Sequence, residues 1–107
     1  MNTDRKKRVR AVAKEVRQWC EDNREDFGHD TDLCGMCAIA SARIHVALRK
    51  MGIKTTIAEG RGHCFVLWEG RVVDVTATQF MAFHNKKIII IKHTPEVEEK
   101  YYFYQVK

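Results

Sequence analysis

The sequence predicts an α+β domain in which N-terminal helices pack on a mostly antiparallel sheet, and three observations carry that reading. Through the first half of the chain, apolar residues recur at three- and four-residue steps, the pattern of helices with one buried face. The second half holds short runs rich in Val, Ile, Thr and aromatic residues, two of them joined by a tight Glu69-Gly70 pair. Helices come first and strands afterwards, whereas a parallel α/β fold would alternate them.

The elements follow in order. Residues 4–24 are predicted helical, since Val9, Val12, Val16, Trp19 and Cys20 form a stripe with charges between them. Phe27-Gly28 breaks that pattern, and HDTD at 29–32 supplies cap-type residues ahead of a second helix over 34–51. Its stripe is Cys37, Ser41, Ile44, Leu48 and Met51, which puts Cys37 at the first turn, and Gly52 suits the left-handed closing position. Strands are predicted at 53–58 (IKTTIA), 63–68 (HCFVLW), 71–76 (RVVDVT), 87–92 (KIIIIK) and 101–106 (YYFYQV). The four isoleucines at 88–91 read as a buried strand, ATQFMAFHN as a short helix or turn, and Pro95 as part of a polar connector. No repeat, low-complexity run or linker divides the 107 residues, so residues 1–107 are read as one domain.

Composition limits the function classes. A hydrophobic fraction of 45% with 31% charged residues is ordinary for a soluble globular protein. No apolar run approaches the ~20 residues of a membrane span. The opening MNTDRKKRVR lacks the apolar stretch of a secretory signal, so the expectation is a cytoplasmic protein, or one delivered into a host cell, with no membrane partner. In that setting Cys20, Cys34, Cys37 and Cys64 are expected as free thiols rather than a disulfide framework. The net charge of +5 gathers on the first helix, at Arg5, Lys6, Lys7, Arg8, Arg10, Lys14 and Arg17. Such a patch would suit nucleic acid or an acidic protein partner; a solvated helix face is the favoured reading, because no aromatic residues interleave with the charges.

The chemistry centres on Cys37, His63 and Asp74. A thiol is nucleophilic as thiolate, which a helix start and a neighbouring imidazole both favour, and a carboxylate behind the imidazole fixes its tautomer. A two-residue loop at Glu69-Gly70 pairs Trp68 with Arg71, which sets Phe65 opposite Asp74 and His63 opposite Thr76. His63, Phe65, Leu67, Val72, Asp74 and Thr76 then share one face, with His63 and Asp74 as diagonal neighbours. Cys64, Val66, Trp68, Val73 and Val75 share the other, which is the better candidate for burial under another layer. A lone His or Asp on a strand is usually structural. Their placement together with a helix-start Cys points to cysteine-dependent acyl transfer.

The stretch C-x-x-x-A…L-R-x-x-G-I, then G-H-x-F-V, then V-D-V-T-A-x-Q-F resembles the core of transglutaminase-like and papain-like cysteine enzymes, over about residues 33–80. The resemblance implies a papain/transglutaminase-like core with a Cys37 nucleophile, His63 as general base and acid, and Asp74 as its orienter. It implies no metal or cofactor, and attack on an amide or thioester carbonyl through an acyl-enzyme, with a protein or peptide as substrate. Members include proteases, protein-glutamine deamidases, cross-linking transferases and non-catalytic binding domains, so a protein- or nucleic-acid-binding module is the contrasting class. Papain-like enzymes also place a Gln shortly before the Cys to complete the oxyanion hole. Here the upstream positions GHDTD hold none, Gln18 is distant and Gln79 follows the Asp. The backbone N–H of Cys37 would supply one donor, and the second has no assignment.

Cys34-Gly35-Met36-Cys37 carries the rival readings. A thioredoxin-type redox pair would want a preceding strand, which the sequence lacks. A zinc site would add His63 and Cys64, but adjacent strand residues point to opposite faces. Of the other histidines, His45 reads as a partly buried, satisfied side chain, His29 as a solvated loop residue, and His84 and His93 as flanks of the fourth strand without visible partners. Trp19 and Trp68 read as core or cleft-wall aromatics, and Tyr101–Tyr104 as a strand with two aromatic faces.

Overall fold

Helix α1 spans Thr3–Asn23 and buries Val9, Val12, Ala13, Val16 and Cys20, the side expected from the apolar spacing. This computed structural model describes residues 3–27, 36–60, 63–83 and 85–103. A 3-10 turn over Arg24–Phe27 ends the first helix, and α2 follows over Cys37–Lys50. Ala40, Ile44 and Leu48 of α2 join the buried residues of α1 in one core. The predicted stripe departs at its last member, because Met51 falls past the helix end and is exposed.

The close of α2 is a Schellman motif. Gly52 has φ +77°, its N–H reaches Arg49 O, and the Ile53 N–H reaches back to Leu48 O, both at 3.0 Å. The apolar pair that accompanies this motif is Leu48 with Ile53, both in the core. Because Ile53 spends its N–H on the helix end, the first strand cannot start at 53; β1 runs over Thr56–Gly60.

Strands β2 (His63–Trp68) and β3 (Arg71–Asp74) form the expected hairpin, with Trp68 paired to Arg71, Leu67 to Val72 and Val66 to Val73. Both turn residues have positive φ, +46° at Glu69 and +73° at Gly70, the conformation that matches the twist of a two-residue hairpin. β3 stops two residues short of the predicted 76 because the chain turns there, with the Thr76 N–H bonded to the Asp74 carboxylate. Short 3-10 turns at Ala77–Gln79 and Met81–Phe83 lead to β4 (Ile89–Lys92). The sheet order is β1-β2-β3-β4, antiparallel throughout.

Both faces of the sheet are covered. Val66, Trp68, Val73 and Val75 pack under α1 and α2, as expected for that face. The face carrying Phe65 and Val72 is also buried, against Ala77, Phe80, Phe83 and Val97. Val97 belongs to α3, Pro95–Phe103, which takes the place of the strand predicted at 101–106; residues 104–107 lie outside the described residues. Pro95 is thus a helix opener rather than part of a connector. Thr94 caps the helix, its Oγ1 accepting the Val97 N–H at 3.2 Å, and Pro95 follows where a missing N–H costs nothing. β4 is an edge strand, so of its isoleucines only Ile89 is buried and Ile90 and Ile91 are half-buried, against the expectation of a buried strand. No helix among the described residues is long and apolar enough to cross a membrane.

Candidate active site

Cys37, His63 and Asp74 meet at the end of the sheet where β2 begins. Cys37 is the first residue of α2, and Met36 before it supplies no side-chain cap to the helix start. The free backbone N–H groups of the first turn and the positive end of the helix dipole therefore lie at the end of α2 that carries Cys37. His63 is the first residue of β2 and Asp74 the last of β3, so the hairpin brings the two to the same end of the sheet.

The His63 Nε2–H donates to Asp74 Oδ2 at 2.7 Å, with both side chains almost fully buried. The second carboxylate oxygen, Oδ1, accepts from the Thr76 N–H at 2.8 Å and the Thr76 hydroxyl at 3.2 Å. The spacing Asp74-Val75-Thr76 thus has a direct physical role: Thr76 holds the carboxylate while it holds the imidazole. Phe80 packs edge-on to the His63 ring, centroids 4.6 Å apart, and fixes its plane. The ring also hydrogen-bonds to the Cys37 sulfur, and with Nε2 on Asp74 that contact falls to Nδ1.

These contacts set the protonation states. Burial works against a charged imidazole, yet the hydrogen bonds to Asp74 and Cys37 and their negative charges outweigh it and raise His63 to about 9. Burial is likewise the strongest single influence on Cys37 and opposes the thiolate. The His63 hydrogen bond, the Cys64 backbone N–H, the His63 charge and the Cys64 thiol together overcome it, and the Cys37 pKa is lowered. The arrangement favours the thiolate–imidazolium pair relative to the isolated groups.

Gln79 belongs to the site and had no role in the sequence reading. It is buried, its Nε2 donates to Thr76 O at 3.1 Å, and the same amide lies 3.3 Å from His63 Nδ1. The 3-10 turn over Ala77–Gln79 folds it back toward the histidine. A polar residue five positions after the Asp was the available signal, but a turn of this kind has no periodic signature.

Arg17 corrects the reading of the first helix. Rather than joining the exposed basic face, its guanidinium is buried and donates to Val75 O and Thr78 Oγ1, each at 2.9 Å, and to Glu21 at 2.8 Å. It ties α1 to the segment that carries Thr76 and Gln79. Arg5, Lys6, Lys7, Arg8, Arg10 and Lys14 remain exposed, with Arg5 3.3 Å from Glu69.

The two residues that were not expected to converge, His63 and Cys64, both contact the Cys37 sulfur. They do point to opposite faces, but Cys37 lies at the end of the sheet and is reached from either side. Cys34, His29, the HDTD segment and His84 lie outside the described residues. No three His, Cys, Asp or Glu side chains are grouped to hold a metal ion among the described residues. His45 is partly buried and bonded to Thr55 Oγ1, as expected, while His93 has a neighbour the sequence did not reveal, Glu98 at 3.6 Å. Comparison with protein-family models, curated proteins and solved structures finds no match for this chain.

Proposed function

We propose that this protein is a cysteine-dependent acyl-transfer enzyme on a papain/transglutaminase-like core, acting on peptide or glutamine amide bonds. The observation that carries the reading is His63 held between the Asp74 carboxylate and the Cys37 sulfur, at the start of a helix. In the reaction Cys37 Sγ attacks the amide carbonyl carbon. His63 gives its Nδ1 proton to the leaving nitrogen as the C–N bond breaks, leaving an acyl-thioester. Water, or an amine acceptor, then attacks the thioester, His63 takes its proton, and Cys37 leaves as thiolate. Asp74 keeps its hydrogen bond to Nε2 throughout, fixing the tautomer and stabilising the imidazolium. The Cys37 backbone N–H at the helix start is one oxyanion donor, and the Gln79 amide, 3.3 Å from His63 Nδ1, is a side-chain candidate for the second.

Iodoacetamide labelling against pH is the first test and needs no substrate. Cys37 should be alkylated well below the ~8.5 of an ordinary thiol, and His63→Ala should remove that advantage. Ordinary thiol behaviour in both proteins would sink the enzyme reading and favour a binding module that uses the exposed cations of α1. A mass-spectrometric search for proteins cleaved, deamidated or cross-linked by the wild type and not by Cys37→Ala then separates the three reaction types.

A further inference from the structure

The Cys64 thiol forms and breaks no bond in the acyl-transfer reaction, yet it hydrogen-bonds to the Cys37 sulfur. The strand explains why. His63 turns to the face it shares with Asp74, so the next residue must turn to the helical layer, where α2 begins with Cys37. Glu59, the cross-strand partner of Cys64 on β1, brings its carboxylate to 3.8 Å from the Cys64 sulfur. Two sulfurs on separately anchored elements, with a proton acceptor beside one of them, make up the parts of a thiol switch.

We propose that Cys37 and Cys64 form a reversible disulfide when hydrogen peroxide reaches the site, closing the nucleophile off until a thiol reductant reopens it. The Cys37 thiolate attacks one peroxide oxygen, the O–O bond breaks, and the departing hydroxide takes the His63 proton to become water. This leaves a sulfenic acid on Cys37. Cys64 sulfur then attacks the Cys37 sulfur, the S–S bond forms as the S–O bond breaks, and the hydroxide leaves with the Cys64 proton as a second water. Glu59 is placed to pass that proton on. Two thiols thus give two electrons to one peroxide, and a dithiol returns two electrons by thiol–disulfide exchange, restoring both thiols as it becomes a disulfide itself.

The assignment of roles follows from the surroundings. Cys37 is the thiol whose anion the site favours, whereas burial, the Cys37 charge and Glu59 push Cys64 up to about 11 and keep it a quiet thiol until its neighbour is oxidised. Cys20 is fully buried in the α1–α2 core. The switch goes beyond the acyl-transfer reading and does not depend on it, since it requires only a thiolate with a thiol in contact.

The test is a peptide map. Reduced protein is treated with hydrogen peroxide at neutral pH, blocked with iodoacetamide and digested with trypsin without reductant. Cleavage after Arg24, Arg43, Arg61 and Arg71 puts Cys34 and Cys37 in residues 25–43 and Cys64 in residues 62–71. The expected product is 25–43 joined to 62–71, with Cys37 labelling lost on oxidation and regained with dithiothreitol. In Cys64→Ser that product is absent and Cys37 runs on to sulfinic acid. Two hydrogens lost within 25–43 alone would mean a Cys34–Cys37 bond and overturn the proposal. So would sulfinic Cys37 building up in the wild type as fast as in Cys64→Ser. The wild-type map decides by itself if the variant does not fold. Slow alkylation of Cys37 together with a cross-link that still forms would count against the acyl-transfer reading alone; slow alkylation with no cross-link would overturn both.

Discussion

Replacing Asp74 by Asn keeps the side-chain shape and removes the charge, which isolates what the carboxylate does for His63. The wild-type imidazole sits at about 9, against an ordinary value of about 6.5. At roughly 1.4 kcal/mol per unit, the difference favours the imidazolium by about 3–4 kcal/mol. That is a net figure, because burial at 3% exposure opposes the charge and Asp74 is the first of the groups that overcome it. The variant also changes the tautomer. Oδ1 already accepts from the Thr76 N–H at 2.8 Å, so the Asn oxygen takes that place and its amide nitrogen faces His63 Nε2. A donor facing Nε2 moves the imidazole proton to Nδ1, where it can no longer act as a base toward Cys37. The hypothesis is therefore that His63 in Asp74→Asn titrates at about 6.5 or lower. NMR titration of the imidazole resonances, assigned against His63→Gln, measures it. A variant histidine still titrating near the wild-type value would refute the electrostatic account. A wild-type histidine titrating at about 6.5 would refute the His63–Asp74 bond itself.

Three further outcomes are expected. The Cys37–His63 pair should give stability a plateau in pH. Its thiolate part, from a lowered folded pKa, is present above ~8.5 and lost as pH falls through the folded value; its imidazolium part is present below ~6.5 and lost as pH rises through the raised folded value. Above the folded Cys37 value, and between ~6.5 and ~8.5, the folded and unfolded pairs each hold one proton. Urea midpoints, taken relative to a Cys37→Ala/His63→Gln double variant, should be flat there and fall on both sides; a steady slope across the window would show that the two groups share no proton. Arg17→Met leaves Val75 O and Thr78 Oγ1 without their buried donor and should cost roughly 2–4 kcal/mol in urea denaturation; an unchanged midpoint would return Arg17 to the solvated face. Thr76→Val keeps the backbone bond to Asp74 and loses the hydroxyl one, for about 1–2 kcal/mol, and no loss would mean that the hydroxyl is idle.

How much of this was legible depended on whether a residue's surroundings lie close in sequence. The stripes of α1 and α2, the Gly52 closure and the β2–β3 register were readable, because periodicity and turn chemistry act over a few residues. The His63–Asp74 neighbourhood followed from that register, with eleven positions and one turn between them. Arg17 was misread because a cation in a basic run looks solvated, and the carbonyl it serves comes from Val75, across the whole fold. The C-terminal segment was misread for a related reason. The aromatic run 101–106 has strand propensity, but the Thr94 cap and Pro95 at the first helical position start a helix whose Val97 is buried against the sheet. Gln79 was visible as a motif letter but not as a neighbour of His63, because only the fold of a 3-10 turn brings it back to the ring.

The two-residue turn at Glu69-Gly70 makes this site sensitive to counting. An extra residue inside β2 would reverse the side-chain directions at the His63 end of the strand, sending the imidazole toward α2 and the Cys64 thiol toward the carboxylate. Two extra residues would restore the directions but move His63 along by one strand repeat, roughly 7 Å, far beyond a hydrogen bond. Between positions 63 and 74, then, the chain cannot change its number of residues without taking the site apart.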